Sequence, residues 1–120
     1  MEKQMIVGVQ GTSGFNDYKV FLRAMGVVLS TLSNADNELY IYSAGPGNVN
    51  DMVSEFTNIS MQGLKSRGKK VKVFKVAPSW ISENMESFNY FAFFSLPGEQ
   101  ASKLVSQAQL NNVEVGIFNY

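Results

Sequence analysis

Three short stretches carry the residue types that could do chemistry: QGTSGFND (Gln10–Asp17), SAGPGNVND (Ser43–Asp51) and SLPGEQ (Ser95–Gln100). Each follows an apolar run, is rich in Gly, Ser, Thr, Asn or Pro, and precedes a segment of helical character. A helix start offers N–H groups with no intrahelical acceptor and a partial positive charge, which suit a phosphate or carboxylate. Glycine lets the backbone approach such an anion closely. The same residues have a plainer use, since Asn16, Asp17, Asn50 and Asp51 are good N-caps and glycines turn the chain. For one loop alone the plainer use is preferred; three loops on one rim bring a ligand site into contention. None of the three contains Lys or Arg, so backbone and hydroxyl donors would have to hold any phosphate. Carboxylates for hydrolysis would come from Asp17, Asp51, Glu55 or Glu99, at expected helix starts where capping is the default explanation.

Composition narrows the chemistry further. The chain has no cysteine, hence no disulfide, thiolate nucleophile or Fe–S site, and no histidine, the commonest general base and transition-metal ligand. No metal and no cofactor are expected. There is no G-x-x-x-x-G-K-[ST] loop, and GTSGFND is not G-x-G-x-x-G, so neither ATP-driven work nor dinucleotide binding of the Rossmann kind is supported. Ten basic and ten acidic residues cancel, so net charge supplies no general attraction to nucleic acid or acidic membrane. The start, MEKQMIVGV, lacks the apolar length and cleavage site of a signal peptide. No run reaches membrane-spanning length, and the expected location is cytoplasmic.

At 120 residues the chain is expected to form a single domain, 1–120. Five apolar runs recur: Met5–Val9, Leu39–Tyr42, Val71–Val76, Tyr90–Phe94 and Val113–Phe118. Three of the gaps show helical periodicity. Tyr18, Phe21, Leu22, Met25, Val28, Leu29 and Leu32 share a face in the first gap, and Val49, Met52, Val53, Phe56 and Ile59 share one in the second. The last holds Ala101, Leu104, Val105 and Ala108. The gap from Ala77 to Asn89 is near the minimum for a crossover, with room for one helical turn. Strands alternating with helices imply an α/β, three-layer Rossmann-like domain around a five-stranded, mostly parallel sheet. Runs one, two and four are apolar almost throughout and belong in the middle. Run three alternates lysine with valine and run five carries Glu114, both suited to edges. The order is therefore 3-2-1-4-5, with a ligand crevice expected where helices leave to opposite faces between strands one and four.

Lys65 to Lys75 holds six of the ten basic residues. A solvated edge strand after a helix C-terminus accounts for them better than a nucleic-acid patch, and nucleic acid is not an expected partner. The aromatics of FNYFAFF, Phe88 to Phe94, are expected in the core. Trp80 could either cover the crevice or close the short crossover, and the sequence leaves both open.

With these residues in place, the chain resembles the SLOG superfamily of Rossmann-like domains. That group includes small YspA/YpsA-type proteins, DNA-processing protein A and the "lonely guy" phosphoribohydrolases. GTSGFNDYKVFLRAM keeps Gly11, Phe15, Asp17 and Tyr18 at the spacing of the family's GSR-x-F-x-D-Y, with Ser13 where an arginine often stands. SAGPGNVND retains Gly45 of a GGA-x-GAD loop, with Asn48 at a glycine and Asn50 at the aspartate position. Trp80 matches a tryptophan common after the third strand. LPGEQASKLVSQAQLNNVEVGIF follows the family's loop, helix and last strand. It keeps Pro97 and Gly98 of the PGG-x-GT-x-x-E that the ribohydrolases carry but lacks the second glycine, the Gly-Thr pair and the matching glutamate, which disfavours N-glycosidase activity. The resemblance implies a nucleotide or nucleotide-derived ligand at the carboxyl edge. The expected rim is Gly11, Thr12, Ser13, Gly45, Gly47, Asn48, Asn50, Pro97 and Gly98, with Phe15 or Trp80 offering a face to a base and no catalysis. A compact member of this kind would suit a bacteriophage or mobile-element setting. One alternative is a nucleotide ribohydrolase using Glu99 or Asp51; another is a protein-interaction module with no small ligand. A homodimer is expected through the apolar faces of the first two helices.

Overall fold

The computed structural model describes residues 3–30, 36–66, 68–100 and 102–119. Five strands, β1 (Lys3–Gly11), β2 (Asp36–Ser43), β3 (Lys70–Lys75), β4 (Tyr90–Ser95) and β5 (Glu114–Asn119), alternate with four helices. These are α1 (Tyr18–Ser30), α2 (Gly47–Ser66), α3 (Pro78–Glu83) and α4 (Lys103–Leu110), with a 3-10 turn at Met85–Ser87. Every strand pairing is parallel, and the order is β3-β2-β1-β4-β5. This is the expected α/β architecture, with the lysine-rich and glutamate-bearing strands at the two edges.

The sheet separates two apolar clusters because successive side chains on a strand point to opposite faces. On one face Val7, Val9, Leu39, Ile41, Ala92 and Phe94 meet Phe21, Met25 and Val28 of α1 and Val49, Val53 and Phe56 of α2. On the other, Phe91 and Phe93 meet Ile81 of α3 and Leu104, Val105 and Ala108 of α4. The 3- and 4-residue spacings read from the sequence make these helical stripes, and β4, apolar but for its final Ser95, is buried along its whole length. The aromatics between Phe88 and Phe94 are core.

Two expectations need correction. Leu22 and Ile59 are exposed, because the buried stripe of each helix is narrower than the apolar pattern suggests. Strand β2 is buried on one face only: Tyr40 and Tyr42 stay partly exposed on the other, since α3 runs for just six residues. Trp80 sits within that helix, the single turn expected of the short crossover. Leu32, Arg67 and Ala101 lie outside the described residues.

Candidate functional site

The carboxyl ends of β2, β1 and β4 lie side by side, and backbone bonds tie their loops together. Ala44 N donates to Val9 O at 2.9 Å, Gly11 N to Gly45 O at 3.1 Å and Thr12 N to Phe94 O at 2.9 Å. Helices α1 and α2 cover one face and α3 and α4 the other, so the strand order reverses at β1. In open α/β sheets, ligands bind outside the strand ends at such a point.

The first loop turns back at once, with Phe15 N donating to Thr12 O at 3.2 Å, which leaves Ser13 exposed. Phe15 itself is fully buried, its ring 5.2 Å from that of Phe94. Its ring is therefore a core element, which corrects the expectation that it could offer a face to a base. Asp17 caps α1: its Oδ1 accepts from Val20 N at 3.2 Å and its carbonyl from Phe21 N at 3.1 Å.

The second loop reverses sharply. Gly45 has φ +84°, in the region that favours glycine, and its peptide bond to Pro46 is cis. Gly47 is exposed and begins α2, while the helix ladder starts with Asn50 N donating to Pro46 O at 3.0 Å. The N–H groups of Gly47, Asn48 and Val49 precede that ladder and have no acceptor within the helix. Asn48 Nδ2 donates to the Phe15 carbonyl and joins the first two loops, and Asn50 Oδ1 accepts from the buried Ser43 hydroxyl. Asn50 thus holds the base of the loop.

In the third loop Gly98 takes φ +87°, and Pro97 and Gly98 are exposed. Glu99 does not start a helix: α4 begins at Lys103, and Ser102 is its cap, accepting from Leu104 N at 3.2 Å. The Ser102 hydroxyl donates to Gln10 Oε1 at 2.6 Å, fastening the helix start to β1. Glu99 Oε1 instead accepts from the Thr12 hydroxyl and from Leu96 N, both at 2.6 Å. These two donors hold its carboxyl below the ordinary carboxylate value. An anionic group of the protein's own therefore engages the Thr12 hydroxyl and closes the first loop onto the third.

Trp80 and Asp51 are the remaining candidates. Trp80 stacks on Tyr42 at 4.6 Å and meets Phe88 edge-on at 6.4 Å; of its two readings, these contacts describe closure of the crossover. Asp51 is exposed on α2. Among the described residues no three acidic side chains are grouped to hold a metal. The sequence carries no signal for the ties through Gln10, Thr12 and Glu99, because each spans more than eighty positions and no local pattern announces such a pair. A pocket of about 90 Å³, lined by Val20, Arg23, Ala24, Val27 and Phe118, lies between α1 and β5 and not at the rim. No protein-family model matches the chain, and no curated protein matches it in sequence.

Proposed function

We propose that this chain is a SLOG-type domain that binds a nucleotide or nucleotide-derived small molecule at the carboxyl edge of its sheet without transforming it. One observation carries the reading: the loops after β1, β2 and β4 are hydrogen-bonded into one rim where the strand order reverses. The anionic part of the ligand would rest on the start of α2 at Gly47 and Asn48, with the Ser13 hydroxyl and the Pro97–Gly98 turn beside it. Gly11 and Gly45 shape the floor. The Thr12 hydroxyl becomes a ligand donor when the anion takes the place of Glu99. A carboxylate already accepting two hydrogen bonds is a weak base, which favours binding over hydrolysis.

A thermal-shift panel of mono-, di- and cyclic nucleotides and ADP-ribose derivatives tests the proposal. A ligand at a hundredfold over its Kd adds about 2.7 kcal/mol. With an unfolding entropy of about 2.1 cal/mol/K per residue, that raises Tm by roughly 11 °C. Folded protein with no shift across the panel contradicts the proposal. Free base or phosphate released from nucleoside monophosphates, and lost in Glu99→Gln or Asp51→Asn, would replace binding by hydrolysis.

A homodimer belongs to the same proposal: Leu22 and Val27 of α1 and Ile59 of α2 stay exposed, and light scattering on the eluted protein reads its mass. No helix among the described residues is long and apolar enough to cross a membrane. The cytoplasm is the proposed place of action, and recovery in the membrane fraction would contradict it.

A further inference from the structure

The half of the sheet formed by β2 and β3 keeps one face open. The register sets Glu38 opposite Lys70, Tyr40 opposite Lys72 and Tyr42 opposite Phe74, and strand alternation puts all six on the face that α3 is too short to cover. The Tyr42 ring is stacked on Phe74 at 4.8 Å and on Trp80 at 4.6 Å, each inclined by 17°. Phe74 and Trp80 remain 39% and 36% exposed. Lys72 Nζ lies 5.8 Å from the centroid of Tyr40. Although the chain is neutral overall, the segment 65–75 holds six basic residues and no acid. On the face itself two lysines stand against one carboxylate, Glu38, which accepts the Tyr40 hydroxyl.

Lysines alone would serve as edge protection, the expectation drawn from sequence. Stacked, half-exposed rings beside them add a second requirement: the occupant must offer flat π faces as well as anions. Unpaired nucleic acid offers both, because each base presents a stacking face and each linkage a phosphate. A duplex keeps its base faces against one another. A second copy of this face would set its lysines against Lys70 and Lys72, a like-charge contact that disfavours pairing.

The geometry points to the β2–β3 face as a platform for a single-stranded stretch of nucleic acid, with bases on Phe74 and Trp80 and phosphates on Lys70 and Lys72. It is separate from the rim and does not depend on the ligand proposed there.

Trp80 is the sole tryptophan, so its fluorescence reports on the platform directly. Titration of the full chain with a fifteen-residue oligothymidylate at low salt should give saturable quenching. With two phosphates neutralised, log affinity should fall against log salt with a slope of about −1.4. Phe74→Ala, an exposed position on an edge strand, should weaken binding at least about fivefold, with its far-UV spectrum unchanged. The double variant Lys70→Glu, Lys72→Glu should bind more weakly still. Inorganic polyphosphate, an anion without bases, should not quench. Absence of quenching by oligothymidylate would overturn the proposal. So would wild-type affinity in folded Phe74→Ala, equal affinity for polyphosphate, or tighter binding to a duplex of the same length.

Discussion

Gly11 lies in the rim, and its substitution separates a packing need from a ligand need. Its φ is not among the positive values recorded for Gly45, Gly68 and Gly98, so an alanine there meets no backbone strain. Space is the obstacle. A Cβ at this position would stand 2.7 Å from Val49 Cγ2, 3.1 Å from Phe94 O and 3.4 Å from Phe94 Cβ, against about 3.5–4.0 Å for relaxed contact between carbons. Overpacking of this kind costs about 1–3 kcal/mol, offset by about 0.4–1 kcal/mol from the stiffer unfolded chain. Gly11→Ala should therefore lose about 1–2 kcal/mol. At about 0.25 kcal/mol/K of unfolding entropy for the whole chain, Tm falls by roughly 4–8 °C. Denaturant unfolding should show a lower midpoint at unchanged slope. The nearest atom belongs to Val49, so Val49→Ala, itself costing about 2 kcal/mol, should relieve the clash. The double variant should be more stable than additivity requires by about 1 kcal/mol. Strict additivity, or a Gly11→Ala protein as stable as wild type, would refute this account of why glycine stands there.

Other substitutions have equally definite outcomes. The Tyr18 hydroxyl is a buried polar atom with no hydrogen-bond partner among the described residues, so Tyr18→Phe should be neutral or stabilising by up to about 1 kcal/mol in urea unfolding. Phe15→Ala removes a fully buried ring and should cost about 3–5 kcal/mol, enough to unfold much of the protein on warming. A Cβ at Gly116 would collide with the Tyr90 hydroxyl and lie 2.9 Å from Phe118; Gly116→Ala should lower Tm, and Tyr90→Phe should restore part of the loss. The Glu99 carboxyl is held below its ordinary value near 4.5. Its contribution is thus complete above that pH and disappears as pH falls through the lower, folded-state value. The stability gap between wild type and Glu99→Gln should be widest near neutrality and close in acid; a gap that widens in acid would contradict the Thr12–Glu99 contact.

The order of the sheet was legible because burial leaves different marks on inner and edge strands. Valine and lysine alternate in β3, and Glu114 begins β5, whereas YFAFFS carries no charge at all. Helix faces are legible through spacing, but their width is not: Leu22 and Ile59 share the apolar spacing yet lie outside. Phe15 shows the limit for the rim. A loop setting suggests exposure, yet an aromatic ring beside a strand end can pack onto the face of the sheet, and Phe94 receives it there. Tyr40 and Tyr42 were hidden differently: alternating aromatics in a run flanked by apolar residues look buried until the length of the neighbouring helix is known. Glu99 looked like a first-turn residue, and only the tertiary position of Thr12 shows what its carboxylate holds.

Amide chemical shifts of isotope-labelled protein, followed while a nucleotide selected by thermal shift is added, locate the ligand residue by residue. Binding at the rim should give saturable shifts at Ser13, Gly47, Asn48 and Gly98, with the β3 and β5 edges unmoved. Shifts confined to the pocket between α1 and β5, or scattered without saturation, would contradict it.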